Sequence, residues 1–414
     1  MGITRRTALT LAAASAAQAC MPVIGPRPAS NGDPGAGFRP QPNPAYDAWV
    51  AAFRERAMAR GISADTLARG FAGQGFLPGV IERDRNQTEF RRTTEDYLAL
   101  VASDEDVALG RARVGPVRGT LGEIEASTGV SGDIVAAIWG VETRFGTQRG
   151  EIPVISATST LAWEGRRGRF FEAQLLAALG IVQSGDIAPR RMTGSWAGAM
   201  GHTQFMPETY QAYAVDFRGD GRRDIWSEDP TDALASTANY LVQRGWRRGA
   251  PWGMEVILPE GFDTGLAGRD TRRAVSAWRA AGVRPASGGV LPDHGPAAIH
   301  APAGANGPAW ILFPNFDVIL RYNPSTNYGI GVGYMASRLA GGGPLARSFG
   351  PDATGLTQDE RRELQRRLSA AGFDAGTADG VIGRRTEAAI RDFQRARGLG
   401  VTGTPSPDLL ARLP

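Results

Sequence analysis

Apolar positions recur at helical spacing along most of the chain. Trp49, Phe53 and Ala57 stand four residues apart with Gly61 after them, which predicts a helix and its stop. Ser63 is placed to cap a short helix ending at Phe71. Residues 85–101, 111–128, 169–183 and 231–244 carry the same kind of pattern. Residues 253–258, 309–313 and 316–322 have strand-like content instead, so a small β element is expected beside the helices. Around residue 140 the pattern becomes chemically informative. Ser131 is a candidate N-cap, with Asp133 in the first turn. Ile134, Ile138 and Val141 then form one apolar face, and Val135, Trp139 and Glu142 an adjoining stripe, with Gly146 as the C-terminal stop. Glu142 therefore falls in the last turn of a mostly buried helix. Apolar neighbours and the negative helix end both raise a carboxylate pKa there, as a general acid near neutral pH requires.

Composition narrows the chemistry. The 414 residues exceed one ordinary core, so two or three domains are expected. Hydrophobic residues at 42% and charged residues at 21% fit a soluble globular protein rather than a disordered or membrane-spanning one. There is no lysine, so all 46 basic residues are arginine. That excludes a P-loop lysine, a Schiff-base lysine and a Ser–Lys dyad. The arginines are spread along the chain and nearly balanced by 42 acids, which argues against nucleic-acid binding. Ser195 lies in G-S-W-A-G, not in a G-x-S-x-G elbow, so serine hydrolase chemistry is not indicated. His202, His294 and His300 lack metal-ligand spacing, and His202 is expected to face solvent near the cleft rather than act as acid or base.

The N-terminus predicts export. Arg5 and Arg6 precede a short alanine-rich apolar run over 8–19, too short to span a bilayer, and Ala17-Gln18-Ala19 is a cleavage signal. Cys20, the only cysteine, follows at once, so no intrachain disulfide can form. Removing 1–19 takes away two arginines and no acids, and the count becomes 44 against 42, or +2. Residues 21–42 are rich in Pro, Gly and Asn and read as a tether; 341–355, with three consecutive glycines and two prolines, reads as a linker.

Three separated blocks carry a resemblance: I-W-G-V-E-T-R-F-G (138–146), G-S-W-A-G-A-M-G-H-T-Q-F-M-P-E-T-Y (194–210) and F-P-N-F-D-V-I-L-R-Y-N-P-S-T-N-Y (313–328). In this order they closely resemble the B-type membrane-bound lytic murein transglycosylases, over most of 43–340. After the linker, the D-G-x-x-G-x-x-T-x-x-A-I-x-x-F-Q string from Asp379 resembles the small three-helix peptidoglycan-binding module of wall enzymes. The metal-binding and catalytic residues of fused peptidases are absent from it, which leaves binding as its role. The position of Cys20 resembles the lipid-bearing cysteine of bacterial lipoproteins, although Ala17 stands where leucine is usual; a soluble periplasmic chain is the alternative.

The resemblance implies a mainly α fold with a small β element: a lysozyme-like transglycosylase core plus a three-helix C-terminal domain. The implied domains are a signal peptide at 1–19, anchor and tether at 20–42, catalytic domain at 43–340, linker at 341–355 and binding domain at 356–414. Glu142 would be the single catalytic acid and base, cutting the bond from N-acetylmuramic acid to N-acetylglucosamine with closure of a 1,6-anhydro ring. Most glycosidases use two carboxylates, but enzymes that employ the substrate's own acetamido group need one. By motif, Ser195 holds that acetamido group and Gln204 lines the cleavage site. Tyr240, Tyr322 and Asn323 contact sugars, and Tyr328 stands beside Glu142. Arg166 and Arg167 reach the substrate's acidic groups. No cofactor and no metal are implied; the partners are glycan strands and, through Cys20, the outer membrane, for a monomeric periplasmic protein. Some relatives bind calcium at a loop matching 216–224, but here Arg218 and Ser227 occupy two ligand positions, so a metal-free turn held by its own arginines and aspartates is expected. A lysozyme-like hydrolase and a non-catalytic wall-binding lipoprotein are the alternative functions.

Overall fold

The computed structural model describes residues 35–86 and 92–414; the predicted signal peptide, Cys20 and the tether as far as residue 34 lie outside the described residues. The larger, N-terminal region is mostly helical as far as residue 243. Its elements are α1 (Pro44–Met58), α2 (Ala64–Phe71), α3 (Pro78–Arg85), α4 (Thr94–Val101), α5 (Asp104–Val114), α6 (Arg118–Thr128) and α7 (Gly132–Thr143). There follow β1 (Ile152–Pro153), α8 (Val154–Glu164), α9 (Gly168–Ser184), β2 (Thr193–Gly194), α10 (Pro207–Tyr213) and α11 (Thr231–Gln243). A four-stranded antiparallel sheet comes next, from β3 (Gly253–Ile257), β4 (Arg284–Pro285), β5 (Ala298–His300) and β6 (Ala309–Leu312), in the order β4-β3-β6-β5. Helix α12 (Val275–Ala280) packs Trp278 into the sheet's own core with Val256, Phe262 and Ile311. The chain then returns to the helical body through α13 (Pro314–Ile319) and α14 (Thr326–Leu339).

Local signals explain most of these elements. Asn43 caps α1 ahead of Pro44, and Ser63 caps α2 by accepting from the Thr66 N–H at 3.1 Å, as predicted. Four expectations need correction. Ser131 is at the N-cap of α7 but makes no side-chain cap; the Glu125 carboxylate takes the Gly132 N–H instead, at 2.9 Å. The pattern over 85–101 spans two helices, α3 and α4, and that over 111–128 breaks at Gly115, ahead of Pro116. Residues 316–322 are not a strand. Pro314 sits in the first turn of α13, where its missing N–H costs nothing, and Phe316, Val318 and Ile319 are buried as helix residues. Helix α8 was not foreseen, since Val154 to Ala162 are buried on every side and show no polar face.

Helix α7 runs through the main core, with Val135, Ala136, Ala137 and Ile138 fully buried. Helix α14 packs along it, and α4 lies against α14. Gly331 on α14 makes room for Tyr97 of α4, where a Cβ would come within 2.7 Å of the ring. The link is polar too: Thr94 donates to Asn327 at 2.8 Å.

The C-terminal region forms α15 (Gln358–Ala370), α16 (Arg384–Ala396) and α17 (Pro407–Arg412) around Leu364, Leu368, Ile390 and Phe393. Thr357 and Glu360 make a reciprocal capping box at the start of α15. Residues 341–355 are not loose: Leu345 and Phe349 pack against the cluster of Leu98, Phe316 and Ile330 in the larger region. Arg361 of α15 is 2% exposed and reaches across to α4, with Glu95 at 2.6 Å and Asp96 at 3.5 Å. It also bonds Asp352 at 2.8 Å and the carbonyls of Gly380 and Leu356.

Candidate active site

Glu142 occupies the last turn of α7, as predicted, and lines a cleft of about 720 Å³ together with Ser195, Gln204, Arg149 and Trp226. The turn after it is unusual. Arg144, Phe145 and Gly146 all have positive φ (50°, 55° and 80°), a region that L residues visit rarely. Two anchors hold it. Phe145 is 1% exposed in the core, and Arg144 donates to Asp106 at 2.6 Å and Glu105 at 2.8 Å. Backbone strain that is over-determined by its surroundings is a common mark of a working site.

The electrostatics match the sequence expectation in direction. Burial pushes the Glu142 carboxyl up to about 8, against a smaller opposing effect from the Tyr328 hydroxyl, which donates to Oε1 at 2.8 Å. No arginine side chain pairs with Glu142 among the described residues. Tyr328 is buried and stacks on Tyr322 at 6.4 Å, and Tyr322 meets Tyr240 edge-on at 5.1 Å. Burial, with the Glu142 charge next, keeps Tyr322 and Tyr328 protonated far above the ordinary tyrosine range.

The other predicted residues divide into three groups. Ser195 and Gln204 line the cleft with Glu142. Ser195 Oγ accepts the Ala199 N–H at 3.1 Å, which leaves its own O–H to donate. Gln204 is held at φ 54°, and its Nε2 donates to the carbonyls of Arg149 at 3.1 Å and Gly201 at 3.0 Å, leaving Oε1 as the group it can offer to a ligand. Tyr240, Tyr322 and Asn323 do not line this cleft, and each has a polar group bonded to the protein. Tyr240 donates to the Arg321 carbonyl, Tyr322 to Thr203 O at 2.6 Å, and Asn323 Oδ1 accepts from Ser325 N at 3.0 Å. Arg166 and Arg167 converge on one buried carboxylate, Asp84, which is 2% exposed; Arg166 also bonds the Asp84 carbonyl at 2.8 Å.

Sequence reasoning missed several neighbours. Arg149 and Glu151 line the cleft, and Asp84 clamps the arginine pair. Arg149 and Asp84 are placed by partners about 80 residues away in sequence. His202 was expected to face solvent; it is 3% exposed and bonded on both ring nitrogens. The loop at 216–224 also differs from expectation. Asp216, Asp220 and Asp224 accept backbone N–H groups within and after the turn, while Arg218 pairs with Glu123 and Arg223 with Asp186 at 2.6 Å. Positions 3 and 12 still supply no carboxylate, so the residues present do not fit an ordinary calcium loop.

The model of the transglycosylase SLT domain matches residues 45–337, and that of a peptidoglycan binding domain matches 357–413. This chain belongs to the SLT transglycosylase family. SltB3 from Pseudomonas aeruginosa, solved in complex with NAG-anhNAM-pentapeptide, is 46% identical, with a TM-score of 0.71 over 89% of this chain and 99% of that one. The Escherichia coli lytic transglycosylase SLT35, solved in complex with calcium, is 29% identical, with a TM-score of 0.60 over 72% of this chain and 93% of that one. Membrane-bound lytic murein transglycosylase B of Escherichia coli (strain K12) is 37% identical over 215 residues, 51% of this chain. The chain spans only 58% of that curated relative's length. The SLT fold of these relatives agrees with the mainly helical architecture expected from the sequence.

Proposed function

We propose that this SLT-family chain is a lytic transglycosylase that cuts the bond from N-acetylmuramic acid to N-acetylglucosamine and closes a 1,6-anhydro ring. The observation that carries the reading is a cleft-lining carboxyl held up to about 8, with no ion-pair partner among the described residues. At neutral pH Glu142 is mostly protonated and can donate to the glycosidic oxygen. The substrate's acetamido carbonyl then stabilises the developing cation. The ionised Glu142, steadied by the Tyr328 hydroxyl, next takes the proton from the muramic C6 hydroxyl as that oxygen bonds to C1. The proton given to the leaving group and the proton taken from C6 balance, so no water is consumed. SltB3's complex with an anhydro-muramyl ligand supports the same product class.

Ser195 and Gln204 are assigned to the sugars, the serine as donor to the acetamido group and the glutamine as acceptor. Tyr240, Tyr322 and Asn323 are assigned to sugar contacts by their motif positions. Arg166 and Arg167, aimed by Asp84, present a fork of N–H donors for the wall peptide's carboxylates. Residues 43–340 act as the catalytic domain and 356–414 as the wall-binding domain. Export by residues 1–19 and lipid attachment at Cys20 would place a monomer on the periplasmic face of the outer membrane. The Ala-Gln-Ala-Cys sequence and the membrane-bound relative support that placement.

Glu151, exposed in the same cleft, supplies the one observation favouring a hydrolase, because a second carboxylate could activate water. Mass spectrometry of digested sacculi separates the two. Anhydro-muramic ends, lighter by one water, are expected. Reducing muramic ends as the main product, lost in Glu151→Gln, would establish the hydrolase. Palmitate labelling that disappears in Cys20→Ala is the expected result for the anchor.

A further inference from the structure

The cleft's acid and its amide sit on separate elements, Glu142 on α7 and Gln204 on the loop after β2, and a residue of that loop, His202, is hydrogen-bonded to α7 through its ring and its backbone carbonyl. His202 precedes Gln204 by two residues. Its Nδ1 accepts the indole N–H of Trp139 at 3.0 Å, one turn before Glu142. Its backbone carbonyl accepts the hydroxyl of Thr143, the residue after Glu142, at 2.5 Å. The ring also fills the space over Gly146, where a Cβ would come within 2.6 Å of Nδ1. These contacts flank Glu142: Trp139 lies before it on α7, Thr143 directly after it, and Gly146 in the strained turn that follows.

The tautomer follows from the partners. An indole N–H only donates, so Nδ1 is unprotonated, and Nε2–H donates to the Ser227 carbonyl at 2.7 Å. Arg149 Nη1 lies 3.2 Å from Nε2, but it donates to the carbonyls of Trp226 and Ser227, at 2.8 Å each. A second ring proton would set two donors against each other at Trp139. The surroundings disfavour that proton: burial is the main cause, with Arg149 adding to it, while the Ser227 carbonyl, Glu228 and Asp224 oppose.

We propose that His202, as a neutral imidazole, is a positioning residue that splints the last turn of α7 to the Gln204 loop, fixing Glu142 relative to the sugar that Gln204 contacts. The inference rests on the reading of Glu142 as the acid. Its test is steady-state kinetics on a short soluble glycan of alternating N-acetylglucosamine and N-acetylmuramic acid. His202→Leu should lower kcat about tenfold, since small misplacements of a reacting group carry large penalties. KM should change little, and the basic limb of the kcat–pH profile should move as the surroundings of Glu142 change. His202→Asn, whose Oδ1 can accept from Trp139, should restore most of the rate. Trp139→Phe should cost less than additively when combined with His202→Leu, because both remove one bond.

A His202→Leu enzyme with a lower Tm but wild-type kcat and pH limb would overturn the proposal, and so would full additivity with Trp139→Phe. If His202→Leu fails to fold, Trp139→Phe carries the test alone, and an unmoved kcat and pH limb overturns it. Glu142→Gln is run alongside. Normal turnover by that variant removes the underlying reading, whereas an inactive Glu142→Gln beside a fully active His202→Leu removes only the splint.

Discussion

Glu142 and Arg361 are both ionisable groups drawn out of water, and their surroundings are opposite. Arg361 donates to the carboxylates of Glu95 and Asp352 and to two carbonyls, with Asp96 close by. Glu142 has one neutral hydroxyl and, among the described residues, no ion-pair partner. A buried charge with all its donors satisfied is a fixture of the fold, since it has nowhere better to go. A buried acid without a counter-charge stays protonated until a reaction gives it reason to ionise. Burial alone therefore does not mark a catalytic group; a cleft-lining acid held out of water without a counter-charge is the candidate. Arg166 and Arg167 lie between these cases, half satisfied by Asp84 and still partly exposed.

The comparison breaks most sharply at the acid. Glu142→Gln keeps the size of the side chain and removes the transferable proton. Turnover of sacculi should fall by at least the roughly 10²- to 10⁴-fold that general acid–base catalysis contributes, with binding to sacculi retained. The same variant reports on stability. A carboxyl whose folded pKa lies above its unfolded value binds a proton on folding. Its contribution is fully present below about 4.5, the ordinary value, and is lost as pH rises towards about 8. Glu142→Gln should therefore melt higher than wild type at pH 8, at about 1.4 kcal/mol per unit of lost shift, and the gap should close by pH 5. Near-normal turnover, or a gap that widens in acid, would contradict this account.

Removing the other buried charge should leave chemistry and cost structure. Arg361→Met strands Glu95, Asp96 and Asp352 together; because these carboxylates keep 13%, 23% and 28% exposure, the cost should fall below the roughly 3–5 kcal/mol of a fully buried pair. A lower or divided thermal transition is expected, milder at pH 5 than at pH 8, because Glu95 and Asp96 already take up protons more readily than ordinary carboxylates, chiefly through burial. A single unshifted transition at both pH values would show that the module does not depend on this contact.

Smaller effects sharpen the picture. Tyr328→Phe removes a donor that favours ionised Glu142, so the carboxyl pKa should rise further. The basic limb of the kcat–pH profile should shift up by about one unit, with about a tenfold drop in kcat as the charged form loses its hydrogen bond. An acid-ward shift would mean that the phenol is not the donor. At the small end, millimolar calcium should leave Tm and turnover unchanged, because Arg218 and Ser227 leave the 216–224 turn short of ligands. A calcium-dependent rise in Tm, abolished by Asp220→Ala, would refute this.

What the sequence disclosed follows the range of the forces involved. The position of Glu142 in a last turn was legible because helix periodicity and a glycine stop are local signals. The direction of its pKa shift was legible because apolar neighbours sit on the same helix. Helix α8 was missed because it is buried all round and filled with β-branched and hydroxyl residues; Ser159 and Thr160 spend their hydroxyls on Tyr46 and the Leu77 N–H, partners about 80 to 110 residues away. The strand-like run at 316–322 failed because Pro314 and tertiary burial override β propensity. His202, Asp84 and Arg361 were opaque for one shared reason: each is defined by what approaches it in space. The Cys20 and signal-peptide readings lie outside the described residues.

The seating of Arg361 has a consequence for how a long polymer would be handled. A binding module on a free tether acts as a leash, and the strand it holds samples the cleft at a local concentration that falls as the tether lengthens. Here Leu345, Phe349 and Arg361 seat the linker and module against the body that carries Glu142. On the proposed function, grip and blade would keep a constant separation, and the molecule would work less like an anchor with scissors attached than like a gauge, meeting each glycan strand at one set distance from where it is held.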